Sequence, residues 1–279
     1  MKIYKSVVKK YFTQKISLEE FLLKLTPLNS DQISDVAKKG GVWIQKKGIG
    51  KILRIKVIKE QISPEDIIQI FYDPKVLSLP EASDIELLYE NKNYGIWIKP
   101  SGIVSQGSQA SDHASLLWFV EKKKRQEVFL VHRIDRETTG LMIVAYNSKA
   151  AAVLSDLFQK NQIHKNYQAV VLGPMKIHHQ EMIRASLDDK EAITKLEVLN
   201  SFNNQSLLNI IIETGRLHQI RRHLDFIGHP IMGDPKYGKG NKNKEGLKLV
   251  AYSLSFMDPW SCVNKDFQLP ENYLLKLPE

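Results

Sequence analysis

Apolar and polar positions follow two different regimes along the chain. From residue 85 onward, short apolar runs alternate with polar turns. "IELLYE" and "YGIWIKPSG" read as two strands joined by the turn "NKN", and "EVFLVHRIDRETTGLMIVAY" reads as strand, polar loop, strand. The apolar run "LMIVAY" that closes this unit carries no charge at all. "NSKAAAVLSDLFQKNQ" has helical spacing, with Asn147 or Ser148 as cap and Val153, Leu154, Leu157 and Phe158 on one face. "KNYQAVVLG" returns as a strand. In "LHQIRRHLDFIG", Ile220, Leu224 and Ile227 share one helical face while His218, Arg221, Arg222 and Asp225 share another, and Gly228 supplies the stop. Strands and helices mixed in this way predict an α+β body rather than a regular parallel repeat.

The first 75 residues have a different texture. "SLEEFLLKL" and "NSDQISDVAKK" show helical periodicity, and "GGVWIQKKGIGKILRIKVI" alternates and ends with Ile-rich strand character. Between the two regimes, "YDPKVLSLPEASD" at 72–84 holds two prolines and a Ser/Asp cluster. The expected division is therefore a small module at 1–75, a linker at 76–84 and a body at 85–279.

Charge sharpens this division. The chain has 279 residues, a net charge of +9 and 43% hydrophobic content, enough to bury one good core and a smaller module. Between Lys38 and Lys59 there are eight basic residues and no acid, which suits a polyanionic partner such as nucleic acid. The single Cys262 excludes an internal disulfide framework, and no segment approaches the roughly 20 apolar residues needed to cross a bilayer. The start "MKIYKSVVKKYFTQK" lacks the apolar stretch of a signal peptide, so a cytoplasmic location is the expectation.

The loop "VHRIDRETTG" concentrates the candidate chemistry. A carboxylate at Asp135, held beside Arg133 and Arg136 by flanking strands, would stay ionised and could act as a nucleophile or in proton transfer. The same composition also fits an ion-paired surface turn. Other chemistries find little support. "GIGK" lacks the upstream glycine of a phosphate-binding loop, and the adjacent His178 and His179 are not spaced to share one metal. An aspartyl phosphotransferase would need a metal-binding carboxylate set or a glycine-rich phosphate loop.

"HRIDRETTGLMIVA" resembles the signature of the RluA family of RNA pseudouridine synthases, with Ile134 and Thr139 at positions where Leu and Ser are usual. Five more stretches resemble that family in order: "IKPSG", "HKNYQAVVLG", "KEAITKLEVL", "ETGRLHQIRRHL" and "GHPIMGDPKYG". The order helix, helix, "KGGVWI", basic strand resembles an S4-like RNA-binding domain. The resemblance implies a catalytic domain built on a mixed or antiparallel sheet, a monomer acting on structured RNA, and no metal or cofactor. It implies Asp135 as the catalytic aspartate, Tyr167 as the tyrosine that stacks on the base, and Arg221 as the arginine paired with the aspartate. Arg133 would fill the space left by the flipped-out base, and Lys99, Arg216, His218 and Gln219 would contact RNA, Lys99 at a phosphate. His132, Arg136 and Glu137 would support the loop, and Val250 stands where the family often has His. The implied activity is isomerisation of uridine to pseudouridine, with large-subunit ribosomal RNA first and transfer RNA second as substrate. An RNA-binding protein that has lost catalysis is the remaining alternative.

Overall fold

The computed structural model describes residues 1–7 and 16–277. Lys9, Lys10 and Lys15, part of the basic N-terminal stretch, lie outside the described residues. Two compact units result: Met1–Ser83 with Gln106–Lys124, and Asp84–Ser105 with Arg125–Glu279.

In the first unit the chain runs β1 (Lys2–Val7), β2 (Ile16–Ser17), α1 (Leu18–Leu25), α2 (Ser30–Lys38), β3 (Val42–Gln45), β4 (Leu53–Arg54), β5 (Gln61–Ile62), β6 (Ile67–Tyr72), α3 (Pro74–Leu77) and, later, α4 (Leu116–Lys124). β1, β6, β3 and β4 form an antiparallel sheet in that order. The starts of α1 and α2 follow from local chemistry. Ser17 with Glu20, and Asn29 with Gln32, form reciprocal capping boxes that satisfy otherwise orphaned N–H groups. Phe21, Leu22, Ile33, Val36, Ile44, Ile68 and Ile70 form the core of this unit.

Residues 106–124 pack into the same unit. Arg54 stacks on Trp43 at 4.5 Å, pairs with Asp112 and donates to the Ser108 carbonyl, while the Trp43 indole N–H donates to the Gln109 carbonyl at 2.8 Å. The Asp112 N–H donates to the Lys39 carbonyl at 2.8 Å. Gly41 has no room for a side chain, since a Cβ there would fall 2.7 Å from the Ala110 carbonyl oxygen. The "GG" of "KGGVWI" thus marks where this segment docks.

The second unit contains β7 (Glu86–Glu90), β8 (Tyr94–Lys99), β9 (Phe129–Leu130), β10 (Thr139–Ala145), α5 (Ser148–Gln159), β11 (His164–Leu172), β12 (Gln180–Leu187), β13 (Lys190–Phe202), β14 (Gln205–Ile212), α6 (Gln219–Phe226), β15 (Leu249–Met257) and β16 (Asn264–Gln268). Among the described residues its sheet runs β12-β13-β14-β11-β15-β10-β8-β7, with β16 paired to β15 and β9 to β10. Only β10 and β15 are parallel, so the sheet is mixed and the architecture is α+β.

β10 accounts for the uncharged "LMIVA": Leu141 to Ala145 are all fully buried, so both faces of the strand are covered. Gly140 begins that run opposite Ala251 of β15, where a Cβ would collide with the Ala251 backbone.

Three sequence expectations need correction. The strand before the polar loop is only two residues long. Val153 of α5 is exposed, leaving Ala150 and Leu154 as the buried contacts of that helix. Arg221 and Arg222 do not share an outward face. Arg222 pairs with Asp188 near the surface, whereas Arg221 is buried with Ile220, His223 and Leu224. Neighbours on a helix diverge by about 100°, enough to separate the two arginines. No described helix is long and apolar enough to cross a membrane.

Candidate active site

The polar loop 131–138 has few strand partners, so its backbone groups must be satisfied in other ways. His132 accepts the Ile143 N–H at Nε2 (2.9 Å), taking the place of a strand carbonyl where β9 has ended. Its ring stacks on Phe158 at 4.3 Å, and burial pushes its pKa down to about 3, so it is neutral. It supports the loop, as the sequence suggested.

The rest of the loop is held by the strap that follows β8. Gly102 N–H donates to the Arg136 carbonyl (2.8 Å), Arg136 Nε donates back to the Gly102 carbonyl (2.9 Å), and Ser101 Oγ donates to the Glu137 carbonyl (2.8 Å). Lys99 belongs to this strap. Its side chain is fully buried and its Nζ donates to the carbonyls of Pro100 (2.8 Å), Ile103 (2.8 Å) and Arg136 (3.2 Å). The expected phosphate contact is therefore corrected: Lys99 is out of reach of RNA and ties the strap to the loop. Burial pushes its pKa down to about 7 against the pull of Glu137 and Asp135, while three carbonyl acceptors match the three protons of an ammonium.

A Lys99→Met variant keeps the apolar stem and removes all three donors. Gly102 still donates to the Arg136 carbonyl, but leaving the Pro100 and Ile103 carbonyls unsatisfied costs on the order of 2–4 kcal/mol, a fall of at least about 5 °C in the thermal midpoint for a unit of this size. Circular dichroism melting is the check, and an unchanged midpoint would show that other donors hold these carbonyls.

On this scaffold Arg221 gathers three carboxylates. Its Nε and Nη2 form a two-pronged pair with buried Asp234 (2.7 and 2.8 Å), and its Nη1 reaches Asp135 (3.2 Å) and Glu137 (3.5 Å). Burial works against the charge on both sides of the main pair, but hydrogen bonding outweighs it. Arg221 is held above the usual guanidinium range, and Asp234, which also accepts the Lys236 and Tyr237 N–H groups, is held below the usual carboxylate range. Asp234 and Glu137 are the partners that sequence reasoning missed as such. Asp234 sat inside a quoted motif with nothing to mark its target.

Asp135 faces an open cavity of about 260 Å³ in the second unit, small for a cofactor-sized ligand. Tyr167 of β11 and Lys165, two residues earlier on the same strand face, line it together with Arg133, Arg216 and His218. The register of β11 against β15 shifts between Asn166 and Tyr167, an irregularity of the kind that re-aims a side chain. Burial and the nearby Asp135 charge push the Tyr167 hydroxyl well above its usual value, so it is protonated at neutral pH. His218 sits in the left-handed region (φ 52°), its Nδ1 3.1 Å from the Tyr237 hydroxyl and its Nε2 3.9 Å from Asp135. Burial lowers its pKa, with Asp135 opposing.

Gln219 is corrected too. Its Nε2 donates to the Ile193 carbonyl (2.9 Å) and Thr194 Oγ1 (3.0 Å), and its Oε1 accepts from Thr214 Oγ1 (2.6 Å) and the Arg216 N–H (3.1 Å). All four bonding positions of the amide are used within the protein, so it organises the start of α6 rather than offering a group to substrate. Arg216 donates its Nε to the Glu191 carbonyl at 3.0 Å while lining the cavity, and Arg133 is exposed at the cavity mouth. Asp135, Tyr167, Arg221, Arg133, Arg216 and His218 thus come together around one cavity, Gln219 lines it with its amide already bonded, and Lys99 does not join them. Among the described residues, no cluster of His, Cys, Asp or Glu is arranged to hold a metal ion.

A family sequence model described as RNA pseudouridylate synthase matches residues 93–226, which span the loop, the cavity strand and α6. An RNA pseudouridine synthase of Aquifex aeolicus (strain VF5) is 30% identical over 276 residues, covering 87% of this chain and 86% of that protein. The chain belongs to the RNA pseudouridine synthases, and to their RluA type. An RNA pseudouridine synthase of Mycoplasma genitalium (strain ATCC 33530 / DSM 19775 / NCTC 10195 / G37) is 28% identical over 91% of this chain and 88% of its own length. The solved structure of human RNA pseudouridylate synthase domain containing 4 is similar at 25% identity and a TM-score of 0.54, covering 67% of this chain and 89% of that one. The enzyme therefore acts on RNA and isomerises uridine to pseudouridine.

Proposed function

We propose that this synthase modifies uridine in structured large-subunit ribosomal RNA, with Asp135 as the group that reacts at the ribose. The observation carrying this reading is the Arg221–Asp135 pair, which points a carboxylate into a cavity shared with Tyr167. The reaction breaks the bond between C1′ and N1 of uridine, turns the base and joins C1′ to C5. Asp135 either attacks C1′ or removes a sugar proton, and the Arg221 contact holds the carboxylate in place for either route. Tyr167 supports the base and can relay the C5 proton late in the reaction, its oxygen taking that proton as its own hydroxyl proton passes to water.

The target base must leave the stack, at a cost of a few kcal/mol, and exposed Arg133 occupies the space it leaves. The first unit acts as an S4-like RNA-binding module. Of its eight basic residues between 38 and 59, Lys39 is committed to Asp35 and the Leu77 carbonyl, and Arg54 to Asp112. Lys38, Lys47, Lys51 and Lys59 are exposed and available to phosphates. Ribosomal RNA is favoured because a relative from Nitrosomonas europaea (strain ATCC 19718 / CIP 103999 / KCTC 2705 / NBRC 14298), a ribosomal large subunit pseudouridine synthase D, is 35% identical over 176 residues, or 51% of its length.

Mapping pseudouridines across total RNA from cells with and without the gene tests this. The expected result is large-subunit sites that vanish on deletion and return with the wild-type gene but not with the Asp135→Asn form. Sites lost only from transfer RNA would overturn the substrate, and an unchanged map would overturn the assignment as a whole.

A further inference from the structure

The strap bonds from Lys99, Gly102 and Ser101 all reach the loop on the carboxyl side of Asp135, at Arg136 and Glu137. The amino side is held differently. Ser105 is buried, and its single hydroxyl meets both backbone groups of Ile134, donating to the carbonyl at 2.9 Å and accepting from the N–H at 3.2 Å. A hydroxyl has one proton and two lone pairs, so it can make both bonds at once. In doing so it takes the place of a strand neighbour at a position where β9 has ended and β10 has not begun.

We propose that Ser105 is a positioning residue for Asp135. The Ile134 carbonyl belongs to the same rigid peptide plane as the Asp135 N–H, so fixing one fixes the other. With the carboxyl side held by the strap and the amino side by Ser105, the Asp135 backbone cannot pivot about the loop, and Arg221 has only to orient the side chain. Nothing about Ser105 in the sequence marks this role, because a serine after "KPSGIV" reads as ordinary loop. The Ser105 hydroxyl does not line the cavity, so its effect passes through the backbone of residue 134.

This inference rests on Asp135 as the reacting group, and the test separates the two. The readout is single-turnover tritium release from in vitro transcribed large-subunit ribosomal RNA carrying [5-³H]uridine, with RNA affinity measured on the same full-length proteins. Ser105→Ala should slow release about 30- to 100-fold, the scale expected when a reacting group is misplaced by about an ångström, while RNA affinity stays within about twofold. Ser105→Thr and Ser105→Val provide a matched pair that differs by one hydroxyl and covers the case in which the alanine variant does not fold. The threonine form should outpace the valine form by a similar factor. A valine form as fast as the threonine form, or an alanine form at the wild-type rate, would overturn the proposal. Asp135→Asn is run alongside. Release surviving in that variant sinks the reading of Asp135 and this inference with it, whereas a silent Asp135→Asn beside a full-rate Ser105→Ala sinks the inference alone.

Discussion

Asp135→Asn will bind RNA and release no product. The substitution keeps the size of the side chain and removes its charge, so it leaves the cavity and the loop bonds in place while abolishing both possible reactions at the ribose. Loss of a nucleophile from an organised site commonly costs at least about 10⁴-fold in rate. Folding should not suffer. Three carboxylates face one guanidinium here, and neutralising one of them relieves repulsion between Asp135 and Glu137. The expected outcome is tritium release below detection, RNA affinity equal to or slightly tighter than wild type, and a thermal midpoint no lower. If affinity or the thermal midpoint collapsed together with turnover, Asp135 would be a structural residue and the reacting group would lie elsewhere.

Arg221→Lys should slow the reaction less, and for a different reason. Arginine spreads three of its donors over Asp234, Asp135 and Glu137, and its planar fork matches the Asp234 carboxylate on two prongs. A lysine ammonium is a point charge on a flexible stem and cannot reach these positions together. Asp234 is the nearer and more deeply buried partner, so lysine will stay with it and leave Asp135 unsupported. Turnover should fall about 100-fold, the usual effect of losing geometry while keeping charge. Weakening a buried pair should also cost on the order of 3 kcal/mol of stability. Turnover about 100-fold slower with unchanged RNA affinity checks the first expectation and thermal melting the second. A lysine variant at the wild-type rate would mean that positive charge alone is enough beside Asp135.

Residues of this site were legible in the sequence to the degree that they depend on local pattern. β10 could be seen because burial on both faces leaves a run without charge. α6 showed its apolar stripe, and the motif order picked out Asp135, Tyr167 and Arg221, which the fold brings around one cavity. What the pattern does not carry is depth. Lys99 and Gln219 are polar residues in motifs that the family resemblance sets against RNA, and both look like substrate contacts until burial and carbonyl partners absorb them. Asp234 and Glu137 escaped because an ion pair across 13 or 84 residues is chosen by the fold and leaves no spacing to read. Residues 106–124 escaped for a related reason. Apolar spacing in "LLWFVEKKK" shows that a helix has a buried side but not which core it joins.

That borrowed segment has a consequence for how the protein is made. The first unit needs Gln106–Lys124 to cover Gly41, Trp43 and Arg54, yet the ribosome delivers that segment only after the whole β7–β8 hairpin of the second unit. At ordinary translation rates the roughly 40 residues that follow Ser83 take about 2–8 s to synthesise. For that interval the N-terminal unit waits on the chain with Gly41, Trp43 and Arg54 uncovered, and β8 waits without β10. The two units emerge interleaved, so neither can be completed before chain growth on the other has begun.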